Sequence, residues 1–330
     1  MKALFYTAPL EMTYREAQPQ TVEAGEVRVK IEAAGICGSD MHAYHGHDAR
    51  RNPGLILGHE VCGTIVEGER LGERVVLNPL MTCGRCKHCE SGRTNLCPNR
   101  TMIGMTRPGG MADEVVLPAA NAITVSSSIS SAHVSLTEPA ACVWHSIELI
   151  KRVAFVPIQE SCVLVIGGGT IGLLAAKLFQ HLGASEVVMI ERNPIRQQTA
   201  ARYRFGQVLG SIEGLADFEN SFDIVFDAVG AAVTRRISIE AVRAGGVVLH
   251  IGLQSNDGPV DTRKITLQEV SFLGSYTYSE ADFSATLNAL EAGVFGDLFW
   301  VEERPLADGN NAFADLDHGR VAAAKIVLCP

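Results

Sequence analysis

The sequence predicts an α/β protein, with a doubly wound parallel sheet inserted into a second, mostly β unit. Three observations support this prediction: a strand, glycine turn, helix and strand follow one another over residues 161–191, strands and helices alternate beyond them, and a strand-like, turn-rich region precedes them. A length of 330 residues is enough for roughly two domains, each with its own core. The predicted boundaries give residues 1–141 and 275–330 to the mostly β unit and residues 142–274 to the parallel-sheet unit.

The composition is typical of a globular protein and argues against several classes of function. Hydrophobic residues make up 47% of the chain and charged residues 20%. The net charge of -9 gives no basic surface for nucleic acid or for anionic lipid. The first ten residues carry one positive charge, and Thr7 and Pro9 break their apolar stretch, which is too short for a signal peptide. We therefore expect a cytoplasmic protein that binds neither nucleic acid nor membrane.

The mostly β unit begins with two predicted strands whose ends carry chemically reactive side chains. Residues 25–32 alternate charged and β-branched side chains, as a half-exposed strand does, and the chain then reads Gly35-Ile-Cys37-Gly-Ser39-Asp-Met-His42. Another apolar run, at residues 55–57, ends in Gly58-His59-Glu60. A catalytic zinc ion typically takes three protein ligands from Cys, His and carboxylate and leaves one position open. Cys37 and His59 are predicted as two of these ligands, although either residue alone is more often structural.

The third ligand of this zinc ion has several candidates. Glu138, in the segment Leu136-Thr-Glu138-Pro139, is the first choice and Glu60 is its competitor, so that one acid can ligate while the other exchanges in. Cys142, one helical turn after Glu138, is a weaker candidate. Glu138 also has a purely structural explanation, because an acid followed by proline suits the first turn of a helix.

Four of the nine cysteines lie within fifteen residues, at spacings of three, three and eight: Cys83, Cys86, Cys89 and Cys97. Four thiolates complete the tetrahedral shell of one zinc ion, so this lobe at residues 83–97 is predicted to be a closed, structural site. An iron–sulfur cluster is the alternative for the same thiols. The odd total and the crowding argue against a disulfide framework.

Residues 161–191 carry the pattern of a dinucleotide-binding unit. A short β-branched run at residues 163–166 leads into a turn that fits G-x-G-x-x-G, with Gly167, Gly169 and Gly172. These glycines allow a tight turn, close approach of the backbone to a pyrophosphate, and close packing of helix on strand. Glu191, nineteen residues further on, can accept from both ribose hydroxyls and repel a 2′-phosphate, which favours NAD over NADP. Arg192 is the counter-argument, since an arginine there could serve a 2′-phosphate.

Further elements are predicted on both sides of this turn. Strands are expected at residues 222–226, 245–251 and 270–273 with a helix at 196–205, and ligands bind at the carboxyl ends of such parallel strands. Residues predicted to contact the cofactor, besides those named above, are Thr170, Ile171, Arg196, Val229, Gly252, Leu253, Ser275 and Tyr276. The other unit is expected to contain a strand at 113–117, a loop at 126–131, a helix at 279–293 and a strand at 325–328. The cleft between the units is expected to hold the chemistry.

Taken in order along the whole chain, these motifs resemble the zinc-dependent medium-chain dehydrogenases. The resemblance implies a GroES-like catalytic domain, a Rossmann domain, one catalytic and one structural zinc ion per chain, and a homodimer or homotetramer. Glu138 stands where many alcohol dehydrogenases carry cysteine, which resembles the polyol branch: sorbitol, xylitol, galactitol-phosphate and idonate dehydrogenases and the related threonine dehydrogenases. Two departures are Thr170, where the family often has proline, and a shorter connection at residues 66–74.

The predicted reaction is the reversible oxidation of a secondary alcohol, in a polyol, sugar phosphate or sugar acid, with NAD as hydride acceptor. The catalytic zinc ion would lower the pKa of the alcohol. Ser39 and His42 are predicted, on the resemblance and on the need for titration near neutral pH, to pass the released proton to solvent, and Glu60 is included in this catalytic set. The alternatives are a threonine-type amino-alcohol dehydrogenase and a non-catalytic, zinc-stabilised nucleotide-binding protein.

The segment before Gly58 contains His47, Arg50 and Arg51, which could face an anionic substrate. A solvated basic turn is the commoner explanation for adjacent arginines.

Overall fold

The structure is a computed structural model that describes residues 1–126, 128–204, 206–211 and 218–330. These residues form two compact units. The first comprises Met1–Pro139, Tyr278–Gly293 and Leu298–Pro330, and the second comprises Ala140–Thr277 and Val294–Asp297. The predicted boundaries were residues 141 and 275, and residues 294–297, which belong to the second unit, were predicted to lie in the mostly β unit.

The first unit is built mainly of short strands. Up to the end of its first chain segment the elements are β1 (Lys2–Ala8), β2 (Glu11–Glu16), β3 (Glu26–Gly35), α1 (Gly38–Tyr44), β4 (Glu60–Glu67), β5 (Arg74–Leu77), β6 (Leu80–Met81), α2 (Lys87–Glu90), β7 (Thr101–Met102), β8 (Glu114–Pro118), β9 (Ala122–Thr124), α3 (Ser131–Ser135) and the start of α4 (Thr137–Lys151), most of which belongs to the second unit. Of the predicted loop at 126–131, residue 127 lies outside the described residues, and α3 begins at its last residue.

The second unit alternates strands and helices. Its elements are β10 (Cys162–Ile166), α5 (Thr170–His181), β11 (Glu186–Ile190), α6 (Pro194–Arg202), β12 (Gln207–Leu209), β13 (Phe222–Asp227), α7 (Ala232–Ala241), β14 (Val242–His250), α8 (Thr262–Leu267) and β15 (Ser271–Gly274). The predicted helix at 196–205 is α6, which starts earlier because Asn193 caps it and Pro194 opens it, and which ends at Arg202. Residue 205 lies outside the described residues.

The chain then returns to the first unit. Its closing elements are α9 (Glu280–Glu291), β16 (Val301–Pro305), α10 (Gly309–Asp317) and β17 (Lys325–Cys329). The capping box of Ser279 and Asp282 starts α9, which corresponds to the helix predicted at residues 279–293.

The largest sheet of the first unit follows the order β16-β17-β3-β4-β5-β9, and β8 also pairs with β3, while β1-β2 and β6-β7 form two-stranded sheets. Val27, Val29 and Ile31 alternate with more exposed residues along β3, so one face of this strand packs into the core. The antiparallel register places Gly35 opposite both Glu60 of β4 and Val327 of β17. The ends of three distant segments therefore meet at one point.

The six strands of the second unit form a parallel sheet in the order β12-β11-β10-β13-β14-β15. Numbered within the unit this is 3-2-1-4-5-6, the doubly wound order whose direction reverses between β10 and β13. The predicted fold class is confirmed. Among the described residues, no helix has both the length and the apolar character needed to cross a bilayer.

Candidate metal centres and dinucleotide site

The strand register gathers three of the predicted metal ligands. Donor atoms of Cys37, His59 and Glu60 all lie within 4.8 Å of one another, with His59 and Glu60 buried and Cys37 partly exposed. Gly35 makes this approach possible, because a Cβ at its position would overlap Oε2 of Glu60. His59 turns Nδ1 toward Oδ1 of Asp40 at 3.5 Å, which leaves Nε2 for a ligand on the other side of the ring.

Lys325 binds the carboxylate of Glu60 at the start of β17. Its Nζ donates to both Glu60 oxygens, each at 2.6 Å, and to the carbonyl oxygen of Ile36 at 2.7 Å. Burial works to lower the pKa of Lys325, but the charges of Glu60 and Cys37 raise it above its ordinary value. Glu60 is therefore a carboxylate with a fixed cationic partner.

Glu138 lies near this group without belonging to it. Its side chain is buried, and its Oε1 accepts a hydrogen bond of 2.9 Å from the Tyr278 hydroxyl. Burial raises the pKa of Glu138 to about 8, and the charges of Cys37 and Glu60 add to the increase, whereas His59 opposes it. The set of donors within 4.8 Å of one another contains neither Glu138 nor Cys142, both of which the structure describes.

The donor chemistry of this region fits a divalent cation. Burial and the charge of Glu60 raise the pKa of the Cys37 thiol to about 11. Negative charges on these neighbouring acidic groups therefore repel one another. A dication would relieve that repulsion and favour the thiolate. Thiol, imidazole and carboxylate are also the ligand types of catalytic zinc sites.

Ser39 and His42 lie on α1, directly after Cys37. The Cys37 side chain caps this helix by accepting from the backbone N–H of Ser39 at 3.4 Å, while Asp40 accepts from the backbone N–H of Cys37 at 3.0 Å. Partial burial lowers the pKa of His42, and the nearby charges of Arg51, His47 and His45 act in the same direction. His42 is therefore predominantly neutral near pH 7 and able to accept a proton.

The two adjacent arginines differ from each other. Arg50 is exposed and pairs with Asp48 at 2.9 Å, as a basic surface turn would. Arg51 fits neither explanation offered by the sequence, because its side chain is fully buried and contacts Asp40, Asp48 and Ser39.

The four clustered cysteines form a second possible metal site. The Sγ–Sγ distances are 3.5 Å for Cys86–Cys89 and Cys83–Cys97 and 4.0 Å for Cys83–Cys89, and all four thiols are free. Tetrahedral zinc with Zn–S bonds of about 2.3 Å separates its sulfurs by about 3.8 Å. The backbone N–H of Arg85 and the thiol of Cys97 lower the pKa of Cys83 to about 6. The cluster therefore fits a closed, four-thiolate site.

The glycine turn of the second unit has the predicted shape. Gly167 adopts φ of +100°, and a Cβ on Gly172 would overlap the carbonyl oxygen of Gly167, so α5 packs tightly onto the turn. Gly169 is the N-cap of α5, and Thr170 and Ile171 form its first turn. The N-terminus of this helix is suited to a phosphate.

Glu191 follows the end of β11, where its carboxylate is held by the backbone. Oε2 accepts from the N–H of Gly168 at 2.8 Å and Oε1 from the N–H of Asn193 at 2.7 Å. The side chain is 9% exposed, whereas Arg192 is exposed and Arg196, on α6, is half-buried. This fixed acid occupies the position expected of a ribose-binding carboxylate.

The other predicted cofactor residues follow the next three strands. Val229 comes after β13, Gly252 and Leu253 after β14, and Ser275 and Tyr276 after β15. Because the strands are parallel, their carboxyl ends lie at one edge of the sheet.

Two side chains fix the loops at this edge. Asp227 accepts from the N–H groups of Val229 and Gly230 at 3.0 and 2.9 Å. Arg235 donates to the carbonyl oxygens of Gly230, Ser255 and Asp257 and so ties the loop after β13 to the loop after β14.

Comparison with known proteins identifies the family. The models of the alcohol dehydrogenase GroES-like domain and of zinc-binding dehydrogenase match residues 23–127 and 170–292. A 2-dehydro-3-deoxy-L-galactonate 5-dehydrogenase from Pseudoalteromonas atlantica is 30% identical over 322 residues, which cover 93% of this chain and 92% of that relative. The chain belongs to the zinc-dependent medium-chain dehydrogenase family.

Two further proteins place this medium-chain dehydrogenase among its relatives. An L-threonine 3-dehydrogenase from Cronobacter sakazakii is 30% identical over 293 residues, covering 84% of each chain. The solved structure of acetophenone reductase from Geotrichum candidum in complex with NAD is 26% identical, with a TM-score of 0.89 and coverage of 100% of this chain and 97% of that one. The resemblance inferred from the motifs is therefore confirmed.

Several residues that shape the sites of this dehydrogenase were missed from the sequence. Lys325 gave one weak signal, a charge at the start of an otherwise apolar run. Tyr278 gave none, because 140 residues separate it from Glu138. Arg235 resembled its exposed neighbour Arg236, and only the fold distinguishes the two.

Proposed function

We propose that this chain is an NAD-linked, zinc-dependent dehydrogenase that oxidises a secondary alcohol of a sugar acid, a polyol or a sugar phosphate to a ketone. The observation that carries the proposal is the close approach of Cys37 to the buried residues His59 and Glu60, with donor atoms within 4.8 Å of one another, in a member of this enzyme family. A sugar acid is the preferred class, because a relative that covers almost the whole chain is a 2-dehydro-3-deoxy-L-galactonate 5-dehydrogenase.

The proposed metal ligands are Cys37 and His59 together with one of two acids. Glu60 is closer to them but pairs with Lys325, whereas Glu138 accepts a hydrogen bond from the Tyr278 hydroxyl and has a pKa raised to about 8 by burial. Both acids are therefore retained, as ligands that can exchange. A zinc ion there would supply a Lewis acid that lowers the pKa of an alcohol, and NAD would supply the hydride acceptor.

Ser39 and His42 are the proposed proton carriers. Ser39 is the second residue of α1, after the capping residue Cys37 and the first helical residue Gly38. His42 lies three residues further along α1, on the same side of the helix. The lowered pKa keeps His42 neutral and able to accept near pH 7.

NAD is preferred over NADP because Glu191 is fixed by two backbone N–H groups. A carboxylate held there would repel a 2′-phosphate. The proposed cofactor contacts are the glycine turn with Thr170 and Ile171, the acid with Arg192 and Arg196, and the loops at Val229, Gly252, Leu253, Ser275 and Tyr276.

The decisive experiment is a substrate screen of the purified protein combined with zinc analysis. The panel contains sugar acids, polyols, polyol phosphates and L-threonine, each with NAD and with NADP. We expect NAD-dependent oxidation of a sugar acid or polyol and two zinc ions per chain, with one zinc ion and the activity lost in Cys37→Ser. Activity on L-threonine alone would favour the second candidate, which the relative from Cronobacter sakazakii supports.

Two outcomes would remove the proposal. One is an inactive protein across the whole panel. The other is a Cys37→Ser variant that keeps its full zinc content, because the metal would then lie only in the cysteine lobe. The dimer or tetramer and the cytoplasmic location stay predictions, which size-exclusion chromatography with light scattering and cell fractionation would test.

A further inference from the structure

Arg51 is a buried arginine in the segment between α1 and β4. Its side chain has no exposed surface, and every nitrogen of the guanidinium has a partner. Nε donates to the carbonyl oxygen of Gly104 at 3.2 Å, and Nη1 donates to Asp48 at 3.1 Å. Nη2 lies 3.4 Å from Asp40, so two carboxylates balance the buried charge. A guanidinium held in this way has one orientation.

The same guanidinium forms hydrogen bonds with two atoms of Ser39. Nη1 donates to the backbone oxygen of Ser39 at 2.6 Å, and Nη2 donates to its hydroxyl oxygen at 3.1 Å. A serine hydroxyl normally rotates to suit its surroundings, whereas a guanidinium can only donate. The hydroxyl oxygen of Ser39 must therefore accept from Arg51, and its own proton must point elsewhere.

We propose that Arg51 is a positioning residue for Ser39. By occupying one lone pair of the hydroxyl oxygen, Arg51 leaves one lone pair to accept a proton and one O–H to donate onward. A relay needs both at once, because each carrier accepts on one side while it donates on the other. This inference rests on the proposed function, in which Ser39 and His42 carry the proton from the alcohol.

A competing route from Arg51 runs through Asp40. Asp40 lies 3.4 Å from Arg51 and 3.5 Å from Nδ1 of His59, so loss of the arginine could disturb a metal ligand instead of the serine. The two routes differ in what they predict. Action through His59 changes the zinc content, whereas action through Ser39 disappears once Ser39 has no hydroxyl.

The test is a double-mutant cycle of Arg51→Met and Ser39→Ala, with Arg51→Lys as the conservative variant. We expect Arg51→Met to lower kcat by about ten- to hundred-fold, the range that misplacing a reacting group costs, with little change in KM and two zinc ions retained. Arg51→Lys should recover part of kcat. In the Ser39→Ala background, Arg51→Met should lower kcat by less than about twofold, because the two residues act as one unit.

Arg28 provides a matched control. It also pairs with two carboxylates, Glu67 and Glu114, and donates to a carbonyl, that of Gln20, and its side chain is 13% exposed. Arg28→Met should lower the melting temperature without changing kcat. If Arg51→Met does not fold, Arg51→Lys enters the same cycle.

Three results would overturn the inference: an equal loss of kcat with and without the Ser39 hydroxyl, loss of one zinc ion in Arg51→Met, or a loss of kcat that Arg28→Met reproduces. An inactive wild-type protein would instead overturn the proposed function. Crystal structures of the wild type and Arg51→Met would still decide whether Arg51 orients the serine. We expect Ser39 in one rotamer in the wild type and in several in the variant, and an unchanged single rotamer would contradict the inference.

Discussion

Lys325 and Glu60 form an ion pair from which water is excluded, with 2% and 0% of their side chains exposed. Replacing one partner leaves the other as an uncompensated charge, which costs about 3–5 kcal/mol in a protein interior. We expect Lys325→Met to lower the free energy of unfolding by about that amount in urea titrations. The double variant Glu60→Gln/Lys325→Met should be more stable than Lys325→Met alone.

Lys151 serves as the control for this pair, because it bonds Glu148 at the surface with 40% of its side chain exposed. Lys151→Met should change stability by less than about 1 kcal/mol. If Lys325→Met cost no more than Lys151→Met, the carboxylate of Glu60 would have to be balanced by the metal ion rather than by lysine. The comparison therefore also bears on which acid is the third ligand.

His42 should make stability depend on pH. Burial holds its pKa below the ordinary value of 6.5, so between that lowered pKa and 6.5 the unfolded chain binds more protons than the folded one. The contribution of His42 to stability is therefore fully present above pH 6.5 and is lost as the pH falls through the lowered pKa. Asp48 opposes this shift, while Arg51, His47 and His45 strengthen it.

The difference between wild type and His42→Asn isolates this contribution from the other nine histidines of the ten in the chain. Urea midpoints measured from pH 8 down to pH 5 should fall more steeply for the wild type. Parallel curves for the two proteins would show that His42 does not titrate with folding.

On the scale of secondary structure elements, α7 connects two loops at the carboxyl edge of the parallel sheet. Arg235 is buried on this helix and binds three carbonyl oxygens in those loops. Arg235→Met would leave these oxygens without their donor and loosen both loops. We expect the Kd for NAD, measured by fluorescence titration, to rise about tenfold, which corresponds to about 1.4 kcal/mol.

Arg236 is the neighbouring control on α7. It is 59% exposed and pairs with Glu240 one turn along the helix. Arg236→Met should leave the Kd for NAD within about twofold of the wild type. If the two substitutions had equal effects, the positive charge of α7, rather than the connection between the two loops, would determine the affinity for NAD.

The elements themselves could largely be predicted because local patterns specify them. The buried β-branched run of β10, the glycine turn and the caps of α6 and α9 are readable within a few residues of sequence. The helix α1 was not predicted, since its cap is the side chain of Cys37, which is not a usual N-cap residue.

At the scale of the whole molecule, the candidate site could be predicted only in part. Cys37, His59 and the four clustered thiols were recognisable by residue type and spacing. The choice between Glu60 and Glu138 could not be predicted, because it depends on their partners Lys325 and Tyr278. These two residues are distant in sequence and come close only through strand pairing and through the return of the chain to the first unit. Unlike the spacing of a motif, the register between distant strands cannot be recognised in a short stretch of sequence.

The two proposed metal sites should contribute differently to the stability of the whole chain. The four thiols of residues 83–97 come from one short segment with only two short helical turns, α2 and the turn at Thr94–Leu96, so the ion would hold that lobe together. Cys37, His59 and Glu60 instead lie at the ends of paired strands that other contacts already fix. Loss of the lobe's ion should therefore cost more stability than loss of the other ion.

The variants Cys97→Ser and Cys37→Ser test this difference by zinc analysis and calorimetry. Each should lose one of two zinc ions. Cys97→Ser should lower Tm by about 4 °C, as expected for a loss of about 3 kcal/mol in a chain of this size, and Cys37→Ser by less than half as much. The opposite order of Tm values would mean that the ion at the strand ends is the one that holds the first unit together, because paired strands alone would then be too weak to fix Cys37 beside His59.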